Sequence, residues 1–113
     1  MATKITLIRR FEKSIEKLIR DHKLLSEDFE MLKKLLAQQP DIGDLIVGTG
    51  GIRKIRLKSA SKGKSGGFRI CYYYYVFHDE VFLIFIYQKN VKENLAETEK
   101  KMLRDIAQLI KGK

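Results

Sequence analysis

Two apolar runs separated by three polar residues set the strongest limit on how this chain can fold. Residues 68–77 are rich in aromatic and β-branched side chains, residues 81–87 are apolar throughout, and His78-Asp79-Glu80 lies between them. Aromatic and β-branched residues suit the pleated, packed surface of a strand. A strand apolar on both faces belongs inside a sheet, and a three-residue polar break reads as a tight turn. The core of the fold is therefore expected to be a central antiparallel hairpin.

The remaining elements follow from periodicity. Ile5-Thr6-Leu7-Ile8 reads as a short first strand. From Arg9 the period becomes helical: Phe11, Ile15, Leu18, Ile19 and His22 fall on one stripe, with Glu12, Lys13, Glu16 and Lys17 outside it. Ser26 is the expected N-cap of a second helix, with Glu27 and Asp28 at the positive end of its dipole and Phe29, Leu32, Leu35 and Leu36 as its apolar stripe. Pro40, the only proline, disfavours helical geometry at Gln39 and ends that helix. A glycine-rich loop then feeds a strand over residues 53–58, where Lys54, Arg56 and Lys58 alternate with Ile55 and Leu57. Residues 96–110 return to helix, capped by Thr98 or Asn94, with Met102, Leu103, Ile106, Leu109 and Ile110 as the buried stripe and Gly112 after its end. The order β-α-α-β-β-β-α describes an α+β fold, an antiparallel sheet with helices packed on one face. At 113 residues it is one domain, residues 1–113.

Charge is laid out unevenly on this frame. Residues 1–44 carry 9 basic against 8 acidic side chains, residues 79–113 carry 7 against 6, and residues 45–78 carry 7 against none. Most of the net charge of +9 is thus one central patch. Concentrated positive charge with interleaved aromatics is the electrostatic footprint of a polyanion partner, RNA or DNA above all. Alternation gathers Lys54, Arg56 and Lys58 on one face of their strand, and Arg69 and Tyr73 on one face of the next. Fixed cations along a rigid surface, with rings for unstacked bases, suit a phosphate backbone. Lys62 and Lys64 sit in a glycine- and serine-rich loop suited to wrapping a phosphate strand.

Other chemistries find little support. Gly48-Thr49-Gly50-Gly51 precedes a strand and lacks the Gly-Lys-Ser/Thr ending of a phosphate-binding loop. The single cysteine, Cys71, excludes an intramolecular disulfide and reads as a small buried hydrophobe. No cluster of His, Cys, Asp and Glu suggests a metal, so no metal or cofactor is expected. The only histidines are His22, on a helix, and His78, in a turn, which disfavours a two-histidine ribonuclease. A nuclease of this composition has to work with cations, which bind the scissile phosphate and stabilise its extra transition-state charge. A lysine crowded by cations is suited to proton transfer. No stretch is long and apolar enough to span a membrane and the N-terminus lacks a secretory signal, so a cytoplasmic protein is expected.

The strand motifs Gly43-Asp44-Leu45-Ile46-Val47-Gly48-Thr49-Gly50-Gly51-Ile52-Arg53-Lys54-Ile55-Arg56 and Ser61 through Tyr73, with Tyr87-Gln88-Lys89-Asn90 ending the last strand, resemble the RelE/HigB toxin superfamily of type II toxin–antitoxin modules. The nearest likeness is to its phage-derived HigB-type branch. The resemblance implies a RelE-like fold and a toxin that cleaves mRNA in the ribosomal A site, against 16S rRNA, until a cognate antitoxin silences it. It places Lys54, Arg56 and Arg69 as the residues that bind and activate the phosphate. Arg53, Lys58, Lys62, Lys64, Tyr73, Tyr87 and Lys89 complete the expected RNA-binding set. In the best-known RelE type another arginine ends the last strand and a tyrosine follows it. Here those positions hold Asn90 and approximately Ala96, leaving Tyr73 and Tyr87 as substitutes for the ring and Lys89 for the charge. The alternatives are a non-catalytic basic nucleic-acid-binding regulator and a ParE-like gyrase poison.

Overall fold

A computed structural model describes residues 2–57, 67–89 and 94–112. Among them are β1 (Lys4–Leu7), α1 (Arg9–Arg20), α2 (Ser26–Gln38), β2 (Asp44–Leu45), β3 (Ile52–Leu57), β4 (Phe68–Tyr75), β5 (Glu80–Gln88) and α3 (Glu97–Lys111). The strands form one sheet in the order β1-β5-β4-β3-β2. The central hairpin is β4–β5, as its two-sided apolar character requires. The α+β class and the order of the main elements stand, with the two-residue β2 added at an edge.

Two details of the expected arrangement need correction. The sheet is mixed: β1 runs parallel to β5, while the other pairings are antiparallel. The helices also occupy both faces. Phe68, Ile70 and Tyr72 of β4 pack with Phe11 and Ile15 of α1 and with Phe29, Leu32 and Leu36 of α2. The alternate residues Cys71 and Tyr75 pack with Leu103, Ala107 and Ile110 of α3. The reason lies in β4 itself, where three consecutive residues, Ile70, Cys71 and Tyr72, are fully buried. Successive strand residues point to opposite faces, so a layer is needed on each. On α3 the inner stripe uses Ala107, whereas Leu109 is 73% exposed.

A β-bulge in the hairpin decides what reaches the α3 face. Cys71 is opposite Phe85 but Tyr72 is opposite Leu83, so Ile84 is an extra residue on β5. Val81, Leu83 and Ile86 consequently belong to the α1/α2 core, and Phe82, Ile84, Phe85 and Tyr87 to the α3 side. Unbroken alternation from Val81 and Leu83 would have sent Tyr87 under α1.

Helix and strand ends differ from expectation by small, explicable amounts. Leu25 rather than Ser26 is the N-cap of α2, and Gln39 leaves helical geometry before Pro40 at φ −133° and ψ 71°. Ala96 caps α3 in place of Thr98 or Asn94; its N–H donates to Glu99 Oε1 at 2.8 Å. β4 stops at Tyr75, two residues short of the apolar run, because residues 76–78 turn as a 3-10 helix and Asp79 takes φ 50°. Asp79 Oδ1 accepts from Thr3 Oγ1 at 2.7 Å and from Tyr74 Oη at 3.2 Å, pinning this turn beside β1.

Candidate nucleic-acid interface

Strand register builds the candidate site on the α3 side of the sheet. Arg56 of β3 lies directly opposite Arg69 of β4, and Arg69 lies opposite Tyr87 of β5. One same-face row further along, Lys54 is opposite Cys71, and Cys71 is opposite Phe85. Directly opposed side chains have Cβ atoms about 4.5–5.5 Å apart, and like charges there are destabilising. An arginine facing an arginine is thus costly to the fold unless an anion joins them. Arg56 is exposed, while Lys54 and Arg69 are half-buried.

Two groups beside these cations, Cys71 and Tyr87, are held neutral. Burial pushes the Cys71 thiol up to about 12, with Lys54 pulling it down and Glu99 pushing it further up. Burial also raises the Tyr87 hydroxyl, aided by Cys71 and Glu99 and opposed by Arg69. Tyr87 is only 8% exposed and its ring lies 5.8 Å from that of Phe85. Its ring therefore supports the row instead of offering a stacking face. Tyr87 also lines a groove of about 300 Å³ with Lys17, Lys23 and Gln88.

Several sequence-derived candidates lie elsewhere. Arg53 points to the opposite side, where its guanidinium donates to Asp41 O at 3.0 Å and Gly43 O at 2.7 Å. The Gly43 N–H in turn donates to Tyr72 Oη at 2.8 Å. This clamp holds the loop behind β3, and a Cβ on Gly43 would sit 2.7 Å from Tyr72 Oη and 2.8 Å from the Lys54 carbonyl. Tyr73 shares the face of Arg69 but lies four residues along β4, roughly 13 Å away at strand rise. There Lys111 Nζ is 5.8 Å from its ring, beneath the end of α3. Lys89 is exposed just past β5, its N–H donating to Gly67 O at 3.2 Å. Lys58, Lys62, Lys64 and Asn90 fall outside the described residues.

The glycine-rich turn has a structural explanation. Gly48, Gly50 and Gly51 take φ of 83°, 72° and 113°, conformations that favour glycine. Buried Thr49 donates to Ile46 O at 2.7 Å and accepts from Ile52 N at 3.2 Å, fixing the entrance to β3. Neither histidine is beside the cationic row: His22 follows α1, and His78 lies 4.5 Å from Tyr75, which is six residues along β4 from Arg69. Among the described residues, no three His, Cys, Asp or Glu side chains gather as a metal site, and no helix is long and apolar enough to cross a membrane. Acidic residues also border the cationic row, and the sequence reading placed neither there: Asp44 of β2 lies directly opposite Lys54, and Glu99, on the first turn of α3, acts on Cys71 and Tyr87.

Comparison with known proteins agrees with this geometry. A family model described as "RelE toxin of RelE / RelB toxin-antitoxin system" matches residues 3–112. Among solved structures, an arginine-substituted mutant of E. coli toxin RelE in the free state superposes with a TM-score of 0.59. That match covers 90% of this chain and 97% of the other at 24% identity, a likeness of fold. With nearly the whole chain matched, and the basic row set on the sheet, this protein belongs to the RelE toxin family: it is the toxin of a toxin–antitoxin pair, an mRNA interferase that inhibits translation.

Proposed function

We propose that this toxin is a metal-independent endoribonuclease that cuts mRNA while it is held on the ribosome, and that Lys54, Arg56 and Arg69 carry the reaction. The observation behind this reading is the Arg56–Arg69 pair, opposed across β3 and β4 with Lys54 two residues along the same face. Guanidinium groups bind phosphate oxygens in a planar, two-pronged geometry. In-line attack by the ribose 2′ oxygen puts extra negative charge on those oxygens, and fixed cations stabilise it without reorganising. The Lys54 ammonium supplies a proton to the departing 5′ oxygen.

Dependence on the ribosome follows from the character of the face. It has no histidine, so alignment of the 2′ oxygen, phosphorus and leaving oxygen has to come from outside. Holding the reacting groups in line is worth many orders of magnitude in rate, and message gripped in the A site against 16S rRNA provides that hold. Lys89 at the rim contributes a phosphate contact. A cognate antitoxin restrains the toxin in the cytoplasm: an acidic segment is steered by the patch, and β1, at the edge of the sheet, offers a strand for augmentation.

Primer extension on message from expressing cells tests the reading. Cuts in phase with codons are expected. Untranslated but intact message would instead indicate a non-catalytic binder, and DNA breaks a gyrase poison. Growth should be restored, and a complex should co-purify, when the neighbouring reading frame is co-expressed.

A further inference from the structure

We propose that the groove between α1 and the end of β5 holds the base of a nucleotide flanking the scissile phosphate, and that Gln88 reads that base; the proposal rests on the nuclease reading above. The first argument is where the groove opens. β1 accompanies β5 only as far as Leu83, which is opposite Leu7. Beyond it, among the described residues, no strand pairs with β5 on that side, and α1 runs beside the edge. Ile86, Tyr87 and Gln88 form one wall of the groove, and Ser14, Lys17 and Leu18 of α1 the other. Tyr87 is also the register partner of Arg69. The groove therefore adjoins the phosphate row at the end of the sheet, with exposed Lys89 one residue past Gln88.

The second argument is what the groove offers. It holds about 300 Å³, the size at which small-ligand pockets begin. Leu18, Phe68 and Ile86 give it apolar surface for the flat face of a base. Gln88 is half-buried, and its side-chain amide has no hydrogen-bond partner among the described residues. An amide sets a donor beside an acceptor, the pairing that reads a base edge. The backbone adds to it. The Lys89 N–H turns to Gly67 O on the β4 side, so strand alternation turns the N–H and C=O of Gln88 the other way, towards the groove.

The third argument is charge. Lys17 Nζ is paired with Asp21 Oδ2 at 2.9 Å, so these two offset each other. Ser14 Oγ donates to the Arg10 carbonyl at 3.1 Å. Lys23 is exposed and makes no ion pair among the described residues. The groove is thus left with one net positive charge, the sign that suits the single phosphate a nucleotide brings. An extended acidic peptide is the competing occupant. Past the bulge, however, β5 turns its backbone outward only at Ile86 and Gln88, less than an added strand of ordinary length uses. Continuity with the phosphate row through Tyr87 favours RNA.

The test is single-turnover cleavage of messages randomised around one codon, on programmed ribosomes, with a melting curve for each protein. Wild type should prefer one base at a position flanking the cut by roughly 5- to 150-fold, the usual discrimination of a good paired contact. Gln88→Ala should erase that preference. Gln88→Glu, which only accepts, should move it towards bases that present donors. Lys23→Ala should slow all sequences alike and lower the salt slope of ribosome binding by about one. Wild type with no flanking preference, or a folded Gln88→Ala that keeps the wild-type preference, overturns the proposal while the nuclease reading survives. If Gln88→Ala does not fold, an unchanged preference in Gln88→Glu has the same force. A Gln88→Ala protein that cuts as wild type but escapes the co-expressed antitoxin also overturns it, and assigns the groove to an acidic segment. Wild-type protein that blocks translation with message intact overturns the nuclease reading itself, and the base-reading role with it.

Discussion

Arg53 and Arg56 lie three residues apart on one strand, on opposite faces, and their surroundings differ completely. Arg53 spends its guanidinium on two backbone carbonyls of the loop behind β3. Arg56 is exposed and faces a second arginine across the ladder. One is a clamp that shapes the scaffold; the other sets like charges opposite each other across the ladder, the placement on which the proposed phosphate site rests. The same contrast separates the two sheet faces. The α1/α2 face is filled by apolar side chains around Ile70 and Tyr72. The α3 face is apolar beneath Leu103, Ala107 and Ile110, and cationic at Lys54, Arg56 and Arg69. Charge alone therefore does not separate the two arginines; what each one faces does.

The comparison breaks if substitutions on the clamp side leave stability intact. Gly43→Ala should have the largest effect, about 2–3 kcal/mol, the upper range for overpacking a tight site. Its Cβ would press on Tyr72 and on the Lys54 carbonyl, so cleavage should fall along with the urea midpoint. Arg53→Ala should cost about 2 kcal/mol, typical of losing hydrogen bonds from a charged donor. A melting temperature unchanged from wild type would show that the clamp carries no stability.

Alkaline pH sharpens the contrast from the other side. The Cys71 thiol is raised from 9.0 to about 12 in the folded protein. A raised acid binds its proton more tightly when folded, so its contribution is complete below pH 9 and is lost as pH rises towards 12. Stability should therefore fall by roughly 1.4 kcal/mol per unit at first, and Cys71→Ala should flatten that slope in urea titrations from pH 8.5 to 10.5. Arg56→Ala should have the smallest effect on folding, within about 0.5 kcal/mol, despite lying on the same strand as Arg53.

How much of this was legible in sequence depended on whether the signal was local. The β4–β5 hairpin and the three helices followed from residue type and period, and alternation correctly separated Lys54 and Arg56 from Ile55 and Leu57. The bulge at Ile84 was hidden because residues 81–87 are apolar throughout, leaving no alternation in which a phase change could be seen. The placement of α3 opposite α1 and α2 is a non-local choice, though two-sided burial of β4 was its precursor in the sequence. Arg53 joined the RNA-binding set through charge counting, which ignores face. Glu99 was overlooked because a first-turn glutamate reads as a helix-dipole residue; its place one turn before Leu103 was the available signal.

The central claim is that the Arg56–Arg69 pair is a phosphate site for ribosome-bound message. Its most direct measurement is single-turnover cleavage by wild type and Arg69→Ala, on message alone and on message in programmed ribosomes, with melting curves of both proteins. The account predicts fast cleavage by wild type on ribosomes, little on message alone, and a loss of about 10²–10³-fold for Arg69→Ala at unchanged stability. An Arg69→Ala protein that folds normally and still cleaves at the wild-type rate would contradict it.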